Sequence, residues 1–529
     1  MFGLRSESAK TRETGKHSPS APSTWARRRV QLSPELLRGV FEHLNHGDNA
    51  RNARVCRDWR DGALSLVWRC VDLGDTLRLL APLVKKGAFY KFSRNVSVQD
   101  WERFDVYAKR VQQLTAHPKK QYDLSVGRVI GCTRQRLEIF PGLKALAFES
   151  NFHLVPLFLH HGIKQLSFVV ETLPATEDLS VTLPYIAPSV PTLRHLTVTA
   201  HQDLGASLNV VVEMLKCLGH LQSLRLPLQW FVPAVINELV YHDELSYLGI
   251  TTPAGECFEM QGPENDIFSI TMPKQGGIPS LTELNLAVGI SSVAKCLPHL
   301  DALRTLTLLP PQAASSHTLA AFVEVIPERA PSLTSLTIDF RNSTPSPTLT
   351  TNSLTYTKDL KPLIKLKSLK YLHLDHIPSI KVSSADLIAL LKQFPELTHL
   401  SLNPHPLKHP AKTSPKLLRL PDFLRANPKL DYLGLYMGIP HPTALLVDPE
   451  SKARIASSLK ELHFGHSLLP ENPLPVAIYL SCRLPETCKL TGSSDTTQLQ
   501  EMFETMIQFR GKRQRTSVAA KPKQKPKRK

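Results

Sequence analysis

His405 and His409 stand four residues apart, the interval at which two imidazoles on one helix face can share a zinc ion. Pro404, Pro406 and Pro410 exclude that helix, so the pair is not expected to bind metal in this way. "GHSLL" from Gly465 opens like a nucleophile elbow but lacks its second glycine. No GxSxG, GxGxxG or Walker-type GK[ST] occurs. The eight cysteines include no CxxC pair, and Cys482 and Cys488 have no partner pair at zinc-like spacing. They read as buried or free thiols of a reducing compartment, although "NVS" at Asn95 and "NST" at Asn342 match the glycosylation sequon. Neither catalysis, nor a cofactor, nor a metal is expected.

The residues suited to chemistry are of another kind. Tyr371, His373, Asp375, His399, Asn403, Tyr432, Tyr436, Glu461 and His463 are aromatic, imidazole and polar side chains of the sort that anchor one protein on another. They alternate with leucines. The unit that places them is L-x-x-L-x-L, found at Leu143, Ile163, Leu193, Leu221, Leu245, Leu281, Leu303, Leu333, Leu369, Leu397, Leu430 and Leu459. Proline precedes six of these by two positions, at Pro141, Pro191, Pro279, Pro331, Pro395 and Pro428, ending one element and biasing the next toward extended structure. "DLIALLKQFPELTHLSL" shows a whole unit: helix, stop, strand. Alternation sends the leucines to one face of a strand and the residues between them to the other. Stacked units therefore predict an α/β solenoid with a parallel sheet, whose intervening residues line a concave face. Most units lack the asparagine of a standard ladder, so the repeats are irregular.

Other elements flank the array. In "LSPELLRGVFEHL", residues 32–44, Ser33 suits an N-cap, Pro34 the first helical position and Glu35 the positive helix end. Leu36, Leu37, Val40, Phe41 and Leu44 follow at helical spacing. Two further short apolar elements carry Trp59 and Trp68. Three such helices bury too little surface to be comfortable alone, which points to a partner. "DWERFDVYAKRVQQL" predicts another helix. "DTTQLQEMFETMIQFRG" spaces Leu499, Met502, Phe503, Met506 and Ile507 as a capping helix.

Leu32, Pro34, Glu35, Leu36, Val40, Leu44, Asp48, "VCRDW" at 55–59 and "VW" at 67–68 resemble the F-box. Ser33 stands where that motif usually has its first proline, and Asn49 and Asn52 where apolar residues are common. The stretch from Trp101 to Val111 is similar to the segment after the F-box in a large fungal group of F-box proteins with leucine-rich repeats. The resemblance implies an irregular leucine-rich-repeat horseshoe behind a three-helix F-box. The implied organisation is a disordered leader at 1–30, an F-box at 31–75, a helical adapter segment at 76–139, the solenoid at 140–490, a capping helix at 491–510 and a disordered basic tail at 511–529. It further implies a substrate receptor of an SCF-type E3 ubiquitin ligase. Leu32, Pro34, Leu36, Val40 and Leu44 would meet a Skp-type adaptor and, through it, a cullin–RING ligase. Val55, Trp59 and Trp68 would form the F-box core, and the repeats would hold a protein substrate.

Charge adds one more expectation. The 529-residue chain carries a net charge of +18, concentrated at its ends. The last twenty residues hold ten Lys or Arg and no acid, while the body is nearly balanced. The tail suits an import receptor or, alternatively, a nucleic-acid tether on a nuclear binding protein with no ligase role. No apolar run approaches membrane-spanning length, so a nuclear or cytoplasmic location is expected.

Overall fold

The computed structural model describes residues 33–170, 179–200, 208–251, 278–297, 299–310, 313–341, 343, 354–355, 359–375, 380–406, 414–446, 458–493 and 496–519. The leader expected at 1–30, Leu32, His409 and the last ten residues lie outside them. The chain divides into two compact units, one ending at Val67 and the other beginning at Trp68.

The first unit is three helices: α1 Pro34–Glu42, α2 His46–Asn52 and α3 Arg57–Val67. The Ser33 hydroxyl accepts from the Leu36 N–H at 3.3 Å, so the serine in the usual proline position caps α1. Asn45 caps α2 in the same way, accepting from the Asp48 N–H at 2.9 Å. Leu37, Phe41 and Ala63 form the core, with Ala53, Trp59 and Leu66 packed against it. Phe41 meets Trp59 edge-on at 5.5 Å between ring centroids. Asn49 is buried rather than misplaced: its amide donates to the Phe41 carbonyl at 2.9 Å and ties α2 to the end of α1.

Two residues expected in this core are elsewhere. Val55 is 61% exposed, because it lies in the turn between α2 and α3 rather than on an inward helix face. Trp68 belongs to the second unit, where its ring lies 4.6 Å from that of Tyr107. It is half-buried as the first position of W-x-x-V-x-L, a repeat-like stretch leading into a strand. The boundary accordingly falls at Val67 rather than Asp75.

The second unit is built on one long parallel sheet with helices on one side. Among the described residues its fifteen strands run in chain order as β1 Cys70–Asp72, β2 Gln113–Ala116, β3 Ala145–Phe148, β4 Gln165–Val170, β5 His195–Ala200, β6 Ser223–Pro227, β7 Tyr247–Thr251, β8 Glu283–Leu286, β9 Thr305–Leu308, β10 Ser335–Asp339, β11 Tyr371–Asp375, β12 His399–Leu402, β13 Tyr432–Leu435, β14 Glu461–His463 and β15 Lys489–Thr491. Every neighbouring pair is parallel and in register on the leucines: Leu336 with Leu372, Leu372 with Leu400, Leu400 with Leu433 and Leu433 with Leu462. These leucines are at most 1% exposed. They pack against apolar residues of the helices between the strands, such as Leu387, Leu390 and Leu391 of Ser384–Gln393, whose N-terminus carries a Ser383–Asp386 capping box. The chain is thus an α/β solenoid of the leucine-rich-repeat type.

The array begins earlier than residue 140. The segment 76–139 contains helices at Val98–Ala108 and Leu124–Thr133, but β1 and β2 already belong to the sheet, with Leu114 in register with Leu146. Val111, Leu114 and Ala116 fill the L-x-x-L-x-L positions with smaller apolar residues and are buried. At the other end, Leu499 and Phe503 are buried in the main core. Their helix runs Thr496–Ala519, past the residue where a disordered tail was expected to begin. Lys, Arg, Gln and Ala, which fill much of this extension, all favour helix.

Candidate functional site

The sheet face opposite the helices carries two polar rungs near its C-terminal end. In-register parallel pairing aligns Ser335, Tyr371, His399, Tyr432, Glu461 and Lys489 on one rung, and Thr337, His373, Ser401, Gly434, His463 and Thr491 on the next. Asp339 and Asp375 are paired one step further on. Parallel strands lie about 4.8 Å apart, so flat side chains in register stack. The rings of Tyr371 and His399 are 3.9 Å apart at 12°, and those of His399 and Tyr432 are 3.9 Å apart at 8°. The Tyr432 ring also lies 6.2 Å from that of His463, at 22°. Gly434 makes room for this arrangement: a Cβ there would come within 2.9 Å of the Tyr432 ring and 3.1 Å of Ser401 Oγ.

The stack is uncharged near neutral pH. Burial pushes His399 down to about 4, assisted by nearby His373. Burial also lowers His373 and His463, and raises Tyr432 to about 12. Fixed charge stands beside it. Arg341 contacts the Asp339 carboxylate at 2.6 and 2.9 Å and approaches Asp375 at 3.8 Å. Burial alone would raise Asp339, but the Arg341 hydrogen bonds outweigh it and hold the carboxyl below its ordinary value. The result is a flat aromatic–imidazole strip bordered by an ion cluster, suited to stacking and hydrogen bonding rather than bond making.

Of the expected contact residues, Tyr371, His373, His399, Tyr432 and His463 are half-buried on this face, as is Glu461. Asp375, Asn403 and Tyr436 are not open to a partner. Asp375 is 2% exposed and tied to His405 at 3.0 Å. Asn403 and Tyr436 are buried among Ile380, Val382, Leu402, Pro406, Ser414, Pro415 and Leu435. Both lie just past a strand end, where the chain turns and alternation no longer sets direction; Asn403 has a φ of 45°. Asp339, Arg341, His405 and His466 complete the neighbourhood without having been singled out as contacts. Asp339 at least occupies an outward x position of its strand.

A second face lies on α1. Leu36 is 61% exposed, Val40 51% and Leu44 39%. Pro34 is exposed as well. Their spacing puts these three side chains in one row, on the side of the helix away from Leu37 and Phe41.

No protein-family model matches the chain, and no curated protein does. Solved structures do. An internalin from Listeria monocytogenes is 15% identical over 67% of this chain and 81% of its own, with a TM-score of 0.34. The Rad7 and Elc1 complex in yeast matches at 13% identity over 60% of this chain and 92% of that chain, with a TM-score of 0.25. The TLR13–ssRNA13 complex matches at 13% over 73% and 66%, with a TM-score of 0.24. Likeness at this level transfers neither a partner nor an activity. Among the described residues, no helix is long and apolar enough to cross a membrane.

Proposed function

We propose that the chain is the substrate receptor of an SCF-type E3 ubiquitin ligase. The observation that carries this reading is the exposed row of Leu36, Val40 and Leu44 on a unit whose buried core is only Leu37, Phe41 and Ala63. A small bundle that spends half its apolar residues on an outward face is built to be completed by another protein. The F-box-like pattern of the same residues makes a Skp-type adaptor, and a cullin–RING ligase behind it, the fitting partner. The solenoid would hold a protein substrate on the Tyr371–His399–Tyr432 strip. The chain would contribute no bond-making step of its own, acting by raising the local concentration of a substrate lysine near the conjugating enzyme. The basic C-terminus serves import in this reading.

The test is co-purification of the full chain with a Skp-type adaptor, expected as a stable one-to-one complex. Failure to bind the adaptor, with salt-sensitive binding to nucleic acid instead, would favour a nuclear binding protein tethered by its tail.

A further inference from the structure

His405 lies in the turn after β12, and its Nε2 is 3.3 Å from Nε2 of His463 on β14. Each ring is held through its other nitrogen. His405 Nδ1 is 3.0 Å from the Asp375 carboxylate, which only accepts, so this Nδ1 bears a proton. His463 Nδ1 is 2.9 Å from Thr491 Oγ1, and the single Thr491 hydroxyl proton is donated to Glu461 Oε1 at 2.7 Å. His463 Nδ1 is therefore a donor too. A neutral imidazole has one N–H. With both Nδ1 atoms protonated, two Nε2 lone pairs face one another across 3.3 Å. Only a cation between them makes that arrangement favourable.

The surroundings match a metal better than a shared proton. Metal-ligating histidines donate their second N–H to a carboxylate or other acceptor, as both rings do here. Tetrahedral zinc–nitrogen bonds of about 2.0–2.1 Å set neighbouring nitrogens roughly 3.3 Å apart. Asp375 and Glu461 supply negative charge at either end of the relay. A third imidazole, His466, stands edge-on to His405 with centroids 4.9 Å apart. Gly465 brings it there. Its φ is +53°, any Cβ would strike the Pro404 carbonyl, and the next residue's N–H donates to that same oxygen at 2.8 Å. The neighbouring group of Asp339, His373 and Asp375 also places donor atoms within 4.8 Å of one another, but Arg341 already supplies its cation.

We propose that His405, His463 and His466 form a site for a divalent d-block cation of the zinc type, clamping the turn after β12 to the turn after β14. Imidazole donors select such ions over magnesium and calcium. The exposure of His466 leaves the fourth position to water. This inference does not depend on what the strip or α1 binds.

The test uses the full chain stripped with chelator and titrated calorimetrically with zinc chloride, and in parallel with cobalt(II) read by visible absorption. One saturable equivalent is expected, with a tetrahedral cobalt spectrum free of thiolate charge transfer. His405→Gln and His466→Gln should each weaken zinc binding at least tenfold, and Asp375→Asn about 10–100-fold. His466 is exposed, so its variant should fold unchanged; His220→Gln, at a remote exposed histidine, should bind as the parent does. No saturable binding by the parent, undiminished binding by the His405 and His466 variants, or a cobalt spectrum of thiolate type would overturn the site. So would nitrogen-15 spectra showing His405 and His463 sharing a proton with no response to zinc.

Discussion

Replacing Leu36 and Leu44 by aspartate should abolish adaptor binding and leave the chain folded. The free surface of the two side chains, 61% and 39% exposed, amounts together to one whole leucine. Burying a leucine fully contributes about 1.5–3 kcal/mol, so the lost apolar term is about 2 kcal/mol. A carboxylate forced into the same interface without a partner adds a penalty of at least about 2 kcal/mol. The sum is at least about 4 kcal/mol, on the order of a thousandfold in dissociation constant. The cost to the fold is small, because substitutions at exposed sites typically change stability by less than about 0.5 kcal/mol. Phe41→Ala supplies the contrast. That ring is 2% exposed and packs on Trp59, so its removal should cost about 3–5 kcal/mol and unfold the three-helix unit. The assay is calorimetric titration of purified adaptor into each variant, alongside thermal melts. A double variant that binds within threefold of the parent would refute the docking face.

Three further outcomes are expected. Leu433→Ala, at a fully buried position of the ladder, should cost about 2–5 kcal/mol in a denaturant titration, and a loss under about 1 kcal/mol would contradict the stacked core. The fold holds His399 near 4 against an ordinary value of about 6.5, so the unfolded chain takes up the proton first. Stability should therefore fall as pH drops through that interval, and His399→Gln should flatten the profile; parallel profiles for the two proteins would show that His399 is not responsible. Ending the chain at Ala519 removes the run of six basic residues at the C-terminus and should move a tagged protein from nucleus toward cytoplasm with adaptor binding unchanged, whereas persistent nuclear signal would rule out import as the tail's main role.

Twelve of the fifteen strands were legible because a leucine ladder repeats one pattern. The others were hidden by substitution within that pattern. β1 follows Trp68 and Val71, β2 uses Val111, Leu114 and Ala116, and β15 offers only Cys488 and Leu490 as buried apolar residues. Direction along the strands was equally legible: Tyr371, His399 and Tyr432 point outward as alternation requires. It failed one or two residues past the strands, where Asn403 and Tyr436 turn inward, because turn geometry rather than period decides there. Nor could periodicity join His405 to His463. That contact spans 58 positions and depends on register and on a glycine with positive φ.

The in-register ladder also bears on how such a chain can change over generations. β7 and β8 pair directly, Leu248 beside Leu284, although the stretch 252–277 intervenes. Closing a connection twice as long costs only about 0.6 kcal/mol more, since the entropy grows with the logarithm of length. Leucine-to-leucine contacts fix each strand independently of the span between strands. Insertions and deletions between units are thus nearly neutral for the core, while a one-residue slip inside a strand would turn every leucine outward. Lineages descended from this chain should accordingly diverge in length at the unit junctions and hold the strand segments constant, and the same junctions are where a foreign loop can be grafted with least harm.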